Sequence, residues 1–313
     1  MTDFQLHNAQ AEDLQKYPDF FARAALFNTL NQPAQPQTFD QNFISRMTAR
    51  SVDKLVFYRQ VPVFYLSYKK AAVVHPIETM ILDDRVEVPQ DELYHFIRTE
   101  CFDKVSLKLM HDKFEYHTCD RPLNESVLEH IGFLRKKNHR VMNLPLEFHR
   151  SHPLPEEILE HIRIAPVETS QDMTDRVNIQ NGVFHDKSRT PLVWLDVQTE
   201  MKNKSYIDRL SLLLRWDGTP CAYGQIITNS SAFYLVNFGV LPPYQGRGLA
   251  HILLDALLNA AREQGIRQIM LEVYEDNTRA ISLYEEHGFK TMYNKSQWIY
   301  QKKQWCEAPR TSI

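Results

Sequence analysis

The chain has 313 residues, 43% of them hydrophobic and 24% charged, with a formal net charge of -3. That is enough material for two domain cores, and a balanced charge excludes the basic field that a nucleic-acid partner requires. A membrane-spanning helix needs roughly 20 consecutive apolar residues, and the longest apolar stretch, Leu249 to Leu258, is interrupted by His251 and Asp255. The polar N-terminal segment lacks an apolar signal core. Cys101, Cys119, Cys221 and Cys306 stand far apart without CxxC or Cys/His spacing. The expectation is a cytoplasmic protein with reduced thiols, no metal and no membrane association.

In chain order, Lys54 to Tyr68 is predicted to form a hairpin around Gln60-Val61-Pro62, and Asp103 to Met110 a strand. No glycine precedes Gly132, so the first half has no loop through which backbone could approach a phosphate. The segment Glu129-His130-Ile131-Gly132-Phe133 reads as a helix end leading into a β-rich stretch to Leu146. The joint is placed at His149 to Pro155, polar and punctuated by proline, which divides the chain into domains 1–150 and 155–313.

The second half alternates α and β. A strand is predicted at 162–167, helices at 171–186 and 191–203, and strands at 210–216 and 222–228 about the turn signal Asp217-Gly218. Another strand follows at 232–240, then a loop and a helix at 249–264 stopped by Gly265. A strand at 266–274, a helix at 278–286 stopped by Gly288, and a β-rich segment at 289–302 close the chain. The fold class is α/β, a mixed central sheet flanked by helices. Glu286-His287-Gly288-Phe289 echoes Glu129-His130-Ile131-Gly132-Phe133, as a tandem duplication would.

Chemistry concentrates in Val240-Leu-Pro-Pro-Tyr-Gln-Gly-Arg-Gly-Leu-Ala250. A strand ends, two prolines turn the chain, and two glycines lead into a helix. Backbone N–H groups at such a helix start form an anion nest. The segment is neither GxxxxGK[ST] nor GxGxxG; taken alone it reads equally as an ordinary glycine turn.

Gln245, Gly248 and Ala250 match Q/R-x-x-G-x-G/A, and Asn277, Ala280, Leu283, Tyr284, Gly288 and Phe289 match N-x-x-A-x-x-L-Y-x-x-x-G-F, in the same order and with one helix and one strand between. On these residues the chain resembles the GNAT superfamily of N-acetyltransferases, firmly over residues 232–303 and back to about residue 160. The resemblance implies two tandem GNAT-like domains, the N-terminal one degenerate and without a CoA loop. Aligning Gly132 with Gly288 puts Leu128 where Tyr284 stands.

The resemblance further implies acetyl-CoA as co-substrate and a primary amine of a small molecule or peptide as acceptor, with no covalent enzyme intermediate. Phe238, Gly239 and Val240 would meet the pantetheine arm, the Val240 N–H holding the thioester oxygen. Gln245, Gly246, Arg247, Gly248, Leu249 and Ala250 would hold the pyrophosphate. Asn277 would cap the next helix and reach the cofactor, and Tyr284 would protonate the departing thiolate. Glu272 matches the base of family members that acetylate a ribosomal-protein alanine; it reads equally as a solvated strand carboxylate. His185, Asp196 and Glu200 are further candidates for receiving a cationic amine. The competing expectation is a CoA-binding sensor or scaffold without turnover.

Overall fold

The computed structural model describes residues 3–33, 51–71, 74–104, 113–149, 151, 156–184, 190–229 and 232–301. The chain divides into two compact units, Met1–Asn138 with Asn294–Ile313, and His139–Tyr293.

In the first unit, β1 (Phe4–Asn8) is followed by three short helices, α1 (Ala11–Lys16), α2 (Pro18–Phe21) and α3 (Ala24–Phe27). Strands β2 (Ser51–Tyr58), β3 (Val61–Lys69) and β4 (Val74–Leu82) form an antiparallel run, and β5 (Lys113–Cys119) pairs parallel to β4. Helix α4 (Gln90–Ile97) runs into a π-helical turn at Arg98–Asp103. Helix α5 (Pro122–Ile131) ends on Gly132 at φ 110°. The hairpin turn sits on Arg59 and Gln60, at φ 46° and 69°, one residue earlier than the sequence suggests. Two left-handed residues match the twist of a two-residue hairpin; with neither one glycine or asparagine, the turn carries no composition signal. Asp103 closes the π-turn, and residues 105–110 of the strand expected from Asp103 to Met110 lie outside the described residues.

The second unit starts within β6 (Leu134–Pro145), continues through α6 (Glu156–Leu159) and β7 (Ile162–Pro166), and then forms α7 (Ser170–Val183) and α8 (Trp194–Met201). Strands β8 (Ser211–Trp216), β9 (Thr219–Asn229) and β10 (Ala232–Val240) form an antiparallel meander. Asp217 and Gly218 turn the first hairpin at φ 48° and 79°, as their composition predicts. Helix α9 (Leu249–Glu263) crosses to β11 (Gln268–Tyr274), and α10 (Thr278–Glu286) leads into β12 (Lys290–Gln301). Leu253, Leu254, Leu257 and Leu258 of α9 are fully buried against Leu212, Leu214, Ile226 and Leu235 of the sheet, a helix stripe meeting alternating strand residues.

The joint expected at residues 149–155 does not coincide with the division into units. Residues 139–145 of β6 pair antiparallel with β11, Gln268 opposite Pro145 through Tyr274 opposite His139. Residues 295–301 of β12 pair antiparallel with β5 in the first unit. Each unit therefore borrows a strand from the far side of the expected joint. A proline-rich stretch marks where regular structure stops, but not which sheet the flanking strands join.

The echo seen in the sequence has the same local geometry in both places. Phe133 N–H donates to Leu128 O at 2.9 Å and Phe289 N–H to Tyr284 O at 3.0 Å, the six-to-one bond of a helix closed by a left-handed residue. Gly132 and Gly288 supply that residue at φ 110° and 93°, and both phenylalanines are buried.

Candidate active site

The site begins with an irregularity in β10. Its register against β9 shifts between Val236 and Gly239, and Asn237 between them has φ 53°. Such a bulge bends its strand. On the other edge the parallel register with β11 holds at Tyr234 opposite Met270; beyond it the two strands diverge. A cleft of about 730 Å³ opens there, with Val236 to Val240 on one wall and Glu272 to Tyr274 on the other.

Leu241 N–H donates to Cys221 O of β9 at 2.8 Å. Successive groups of a strand point to opposite edges, so the Val240 N–H points away from β9, towards the cleft. The Val240 carbonyl shares that edge and accepts from Gln245 Nε2 at 2.9 Å. Gln245 Oε1 accepts in turn from Arg279 Nη1 at 2.8 Å. The glutamine of the loop motif thus clips the end of β10 to the start of α10.

Gly246 and Gly248 have φ 79° and 76°, and a Cβ placed on either would meet no atom within 4 Å. The glycines are required by backbone conformation rather than by crowding. Gly248 is the N-cap of α9, and Gly246, Gly248, Leu249 and Ala250 line the cleft. A left-handed pair at the start of a 15-residue amphipathic helix exposes N–H groups at its positive end. The loop therefore suits a diphosphate in conformation and polarity, which is the fit that CoA requires.

Tyr284 lies at the floor of the cleft, 8% exposed, with Phe238 and Phe289 rings at 6.2 and 5.7 Å. Burial pushes its phenol well above the ordinary tyrosine range, so it stays protonated across the working pH range. Its hydroxyl has no hydrogen-bond partner among the described residues and is available to a ligand. Glu272 is an exposed residue of β11 that lines the cleft, between buried Leu271 and Val273. Asn277 lines it too, while its Oδ1 accepts from Ala280 N–H at 3.2 Å as the α10 cap. The helix cap expected of it is formed.

Of the residues expected from the loop, Arg247 differs. It is exposed, does not line the cleft, and carries its guanidinium over Trp216 and Tyr244 at 5.5 and 5.6 Å from the ring centres. Aromatic faces attract the cation and turn the side chain away, leaving only its backbone in the loop. Among the described residues Arg279 is an arginine that does line the cleft, and sequence reasoning passed over it because the motif is variable there. Val183 and Phe184 also line the cleft, from a helix that no short motif ties to β10.

The further candidates for receiving the amine have other duties. Glu200 accepts from buried Arg176 and from Gln225. Asp196 Oδ2 accepts from Val193 N–H at 2.9 Å, closing the first turn of α8. His185 lies outside the described residues. Among the described residues no helix is long and apolar enough to cross a membrane.

Comparison with known proteins bears on family and fold. The model of the acetyltransferase (GNAT) family matches residues 179–289. A mycothiol acetyltransferase of Kocuria rhizophila is 24% identical over 190 residues, 55% of this chain and 60% of that protein. A ribosomal protein bS18-alanine N-acetyltransferase of Escherichia coli is 33% identical over 82 residues, 26% of this chain and 54% of that protein. The chain thus spans a little over half of each of these relatives. Among solved structures, a GCN5-related N-acetyltransferase from Sphaerobacter thermophilus overlays with a TM-score of 0.66 at 15% identity, covering 96% of both chains. A tandem GNAT protein from the clavulanic acid biosynthesis pathway overlays at 0.57 with 12% identity, covering 95% of this chain and 98% of that one. At such identities the overlays speak for fold. Together with the matched segment they show that this chain carries an acetyltransferase (GNAT) family domain at residues 179–289, within a tandem GNAT fold.

Proposed function

We propose that the chain is an N-acetyltransferase that moves an acetyl group from acetyl-CoA to a primary amine of a small molecule or peptide, in one ternary complex. The observation that carries this reading is the divergence of β10 and β11 at the Asn237 bulge, with the Val240 N–H on the cleft edge and Tyr284 at its floor.

Acetyl-CoA supplies a thioester whose carbonyl carbon an amine can attack. The loop at Gln245 to Ala250, with Arg279 beside it, holds the diphosphate and so sets the depth of the pantetheine arm. The Val240 N–H donates to the thioester oxygen as negative charge gathers there, and a preorganised donor of this kind favours the transition state over the ground state. Glu272 takes the proton that the attacking ammonium must lose, directly or through one water. As the C–S bond breaks, Tyr284 Oη gives its proton to the leaving sulfur. Asn277 fixes α10 and with it the height of Tyr284, two turns along the same helix.

The names of two relatives point to different acceptors, a mycothiol acetyltransferase and a ribosomal protein bS18-alanine N-acetyltransferase. The discriminating experiment is a product assay: CoA release and product mass with a panel of amino-sugar conjugates, polyamines and alanine-terminated peptides. Transfer to at least one amine, with intersecting initial-velocity patterns, is the expected result. CoA binding without transfer to any of them would leave a binding protein and overturn the proposal.

A further inference from the structure

Helix α9 buries an aspartate on its core-facing side. Asp255 is 6% exposed, in a stripe otherwise made of leucine, isoleucine and alanine. A carboxylate there demands compensation, because desolvating an isolated charge is costly. Two histidines from distant parts of the unit converge on it. His149, just past the end of β6, places Nε2 at 3.2 Å from Asp255 Oδ1, and His287, at the end of α10, places Nδ1 at 3.1 Å from the same oxygen. Both imidazoles are fully buried, and the three donor atoms lie within 4.8 Å of one another.

A hydrogen-bonded Asp–His pair would explain one such contact, but the geometry at His149 argues against it. Neither ring nitrogen of His149 has a partner at hydrogen-bonding geometry, although Nε2 is only 3.2 Å from a carboxylate oxygen. Ligands of a shared cation lie close to one another in this way, without hydrogen-bonding along the line between them. Donors at about 2.0–2.1 Å from a tetrahedral zinc stand roughly 3.3 Å apart, near the two spacings observed. We propose that His149 Nε2, Asp255 Oδ1 and His287 Nδ1 bind one divalent ion of the zinc class. Two imidazoles and a carboxylate suit that ion, and a water completes four-coordination.

The surrounding residues form an orienting shell. His287 Nε2 lies 3.1 Å from His251 Nδ1, and His251 Nε2 lies 3.7 Å from Glu286 Oε2. With the metal on His287 Nδ1, its Nε2–H donates to His251, whose own Nε2–H faces Glu286, so every tautomer is fixed in one direction. His251 and Glu286 line the cleft. The ion would thus pin the helix that starts at the phosphate loop to the turn that ends the Tyr284 helix. The sequence hides this site because its ligands are at 149, 255 and 287, without the short spacing by which metal motifs are recognised.

The test uses the full-length protein, stripped with a chelator and titrated with Zn²⁺, and with Co²⁺ as a spectroscopic probe. About one equivalent of zinc retained after gel filtration is expected, with a Tm several degrees above the stripped form by mass action and visible Co²⁺ absorption of tetrahedral strength. His149→Gln and Asp255→Asn should each lose the absorption and the Tm response. Both keep a polar side chain of similar volume, and circular dichroism verifies their folding. Should one of them fail to fold, the wild-type zinc stoichiometry and Co²⁺ spectrum still decide. Failure of the stripped wild type to retain zinc or shift its Tm overturns the proposal, as does undiminished uptake by the folded variants, which would place the metal on other histidines.

Discussion

In the proposed reaction Val240 would act on the thioester oxygen and Tyr284 on the leaving sulfur, and they reach those places by different means. Val240 contributes only backbone, so no substitution removes its N–H except proline, which would also disturb β10. Tyr284 can be tested cleanly. Tyr284→Phe keeps the ring between Phe238 and Phe289 and removes only the hydroxyl. A group that acts as the C–S bond breaks should lower kcat and kcat/KM together and leave the KM for acetyl-CoA nearly unchanged. General acids contribute about 10²–10⁴-fold, and a thiolate leaves tolerably without help, so a loss of about 10²-fold is expected in steady-state transfer. Unchanged turnover would reduce Tyr284 to packing. Its position was legible because the motif and the helix period agree on which face it occupies. Arg279 and the Asn237 bulge were not, because the first sits at a variable motif position and the second is a left-handed residue without glycine.

Among the elements, the phosphate loop and helix α7 show how local chemistry holds the site in shape. Gly246→Ala should cost about 1 kcal/mol, the usual penalty for placing a Cβ on a left-handed residue, yet keep the rise in Tm that CoA produces. Gly246→Glu carries the same strain and adds a charge inside the nest. Its CoA-induced shift should vanish, and a shift equal to that of the alanine variant would sink the assignment of the loop. Helix α7 supplies Val183 to the cleft and is held at its other end by Asp172. Burial raises the carboxyl pKa of Asp172, but the Thr169 and Glu168 N–H groups, the Thr169 hydroxyl and Arg215 overcome it and bring it down to about 2 from 3.8. A carboxylate depressed on folding stabilises fully above its unfolded pKa and loses that contribution as pH falls through the folded value. Wild type should therefore lose about 2 kcal/mol between pH 5 and pH 2 through this group, read by urea unfolding, a loss that Asp172→Asn should lack. The capping pattern Thr169-x-x-Asp172 is visible in the sequence; its partner Arg215, some forty residues on, is not.

At the scale of the whole molecule, the exchanged strands decide where the chain can be divided. Alternating hydrophobicity identified most strands of the second unit to within two residues, but hydrophobic period says nothing about pairing partner. A cut at residues 150–155, where proline and polar residues suggest a linker, would remove residues 139–145 from β11. Val141, Met142 and Leu144 on that segment are all buried, at 1%, 0% and 0% exposure. Losing three buried apolar side chains costs about 1.5–3 kcal/mol each, against the 5–15 kcal/mol that typically holds a domain together. The lost strand also borders β11, one wall of the cleft. Residues 155–313 expressed alone should therefore show no cooperative thermal transition and no CoA-induced rise in Tm. Residues 139–293, which keep that strand, should show both, because the β12 residues left out pair with β5 in the first unit. The comparison is made by circular dichroism and thermal shift on the two fragments side by side. Cooperative unfolding of 155–313 with the same CoA response as 139–293 would mean that β6 contributes little to the second unit, and the joint read from the sequence would be the physical one after all.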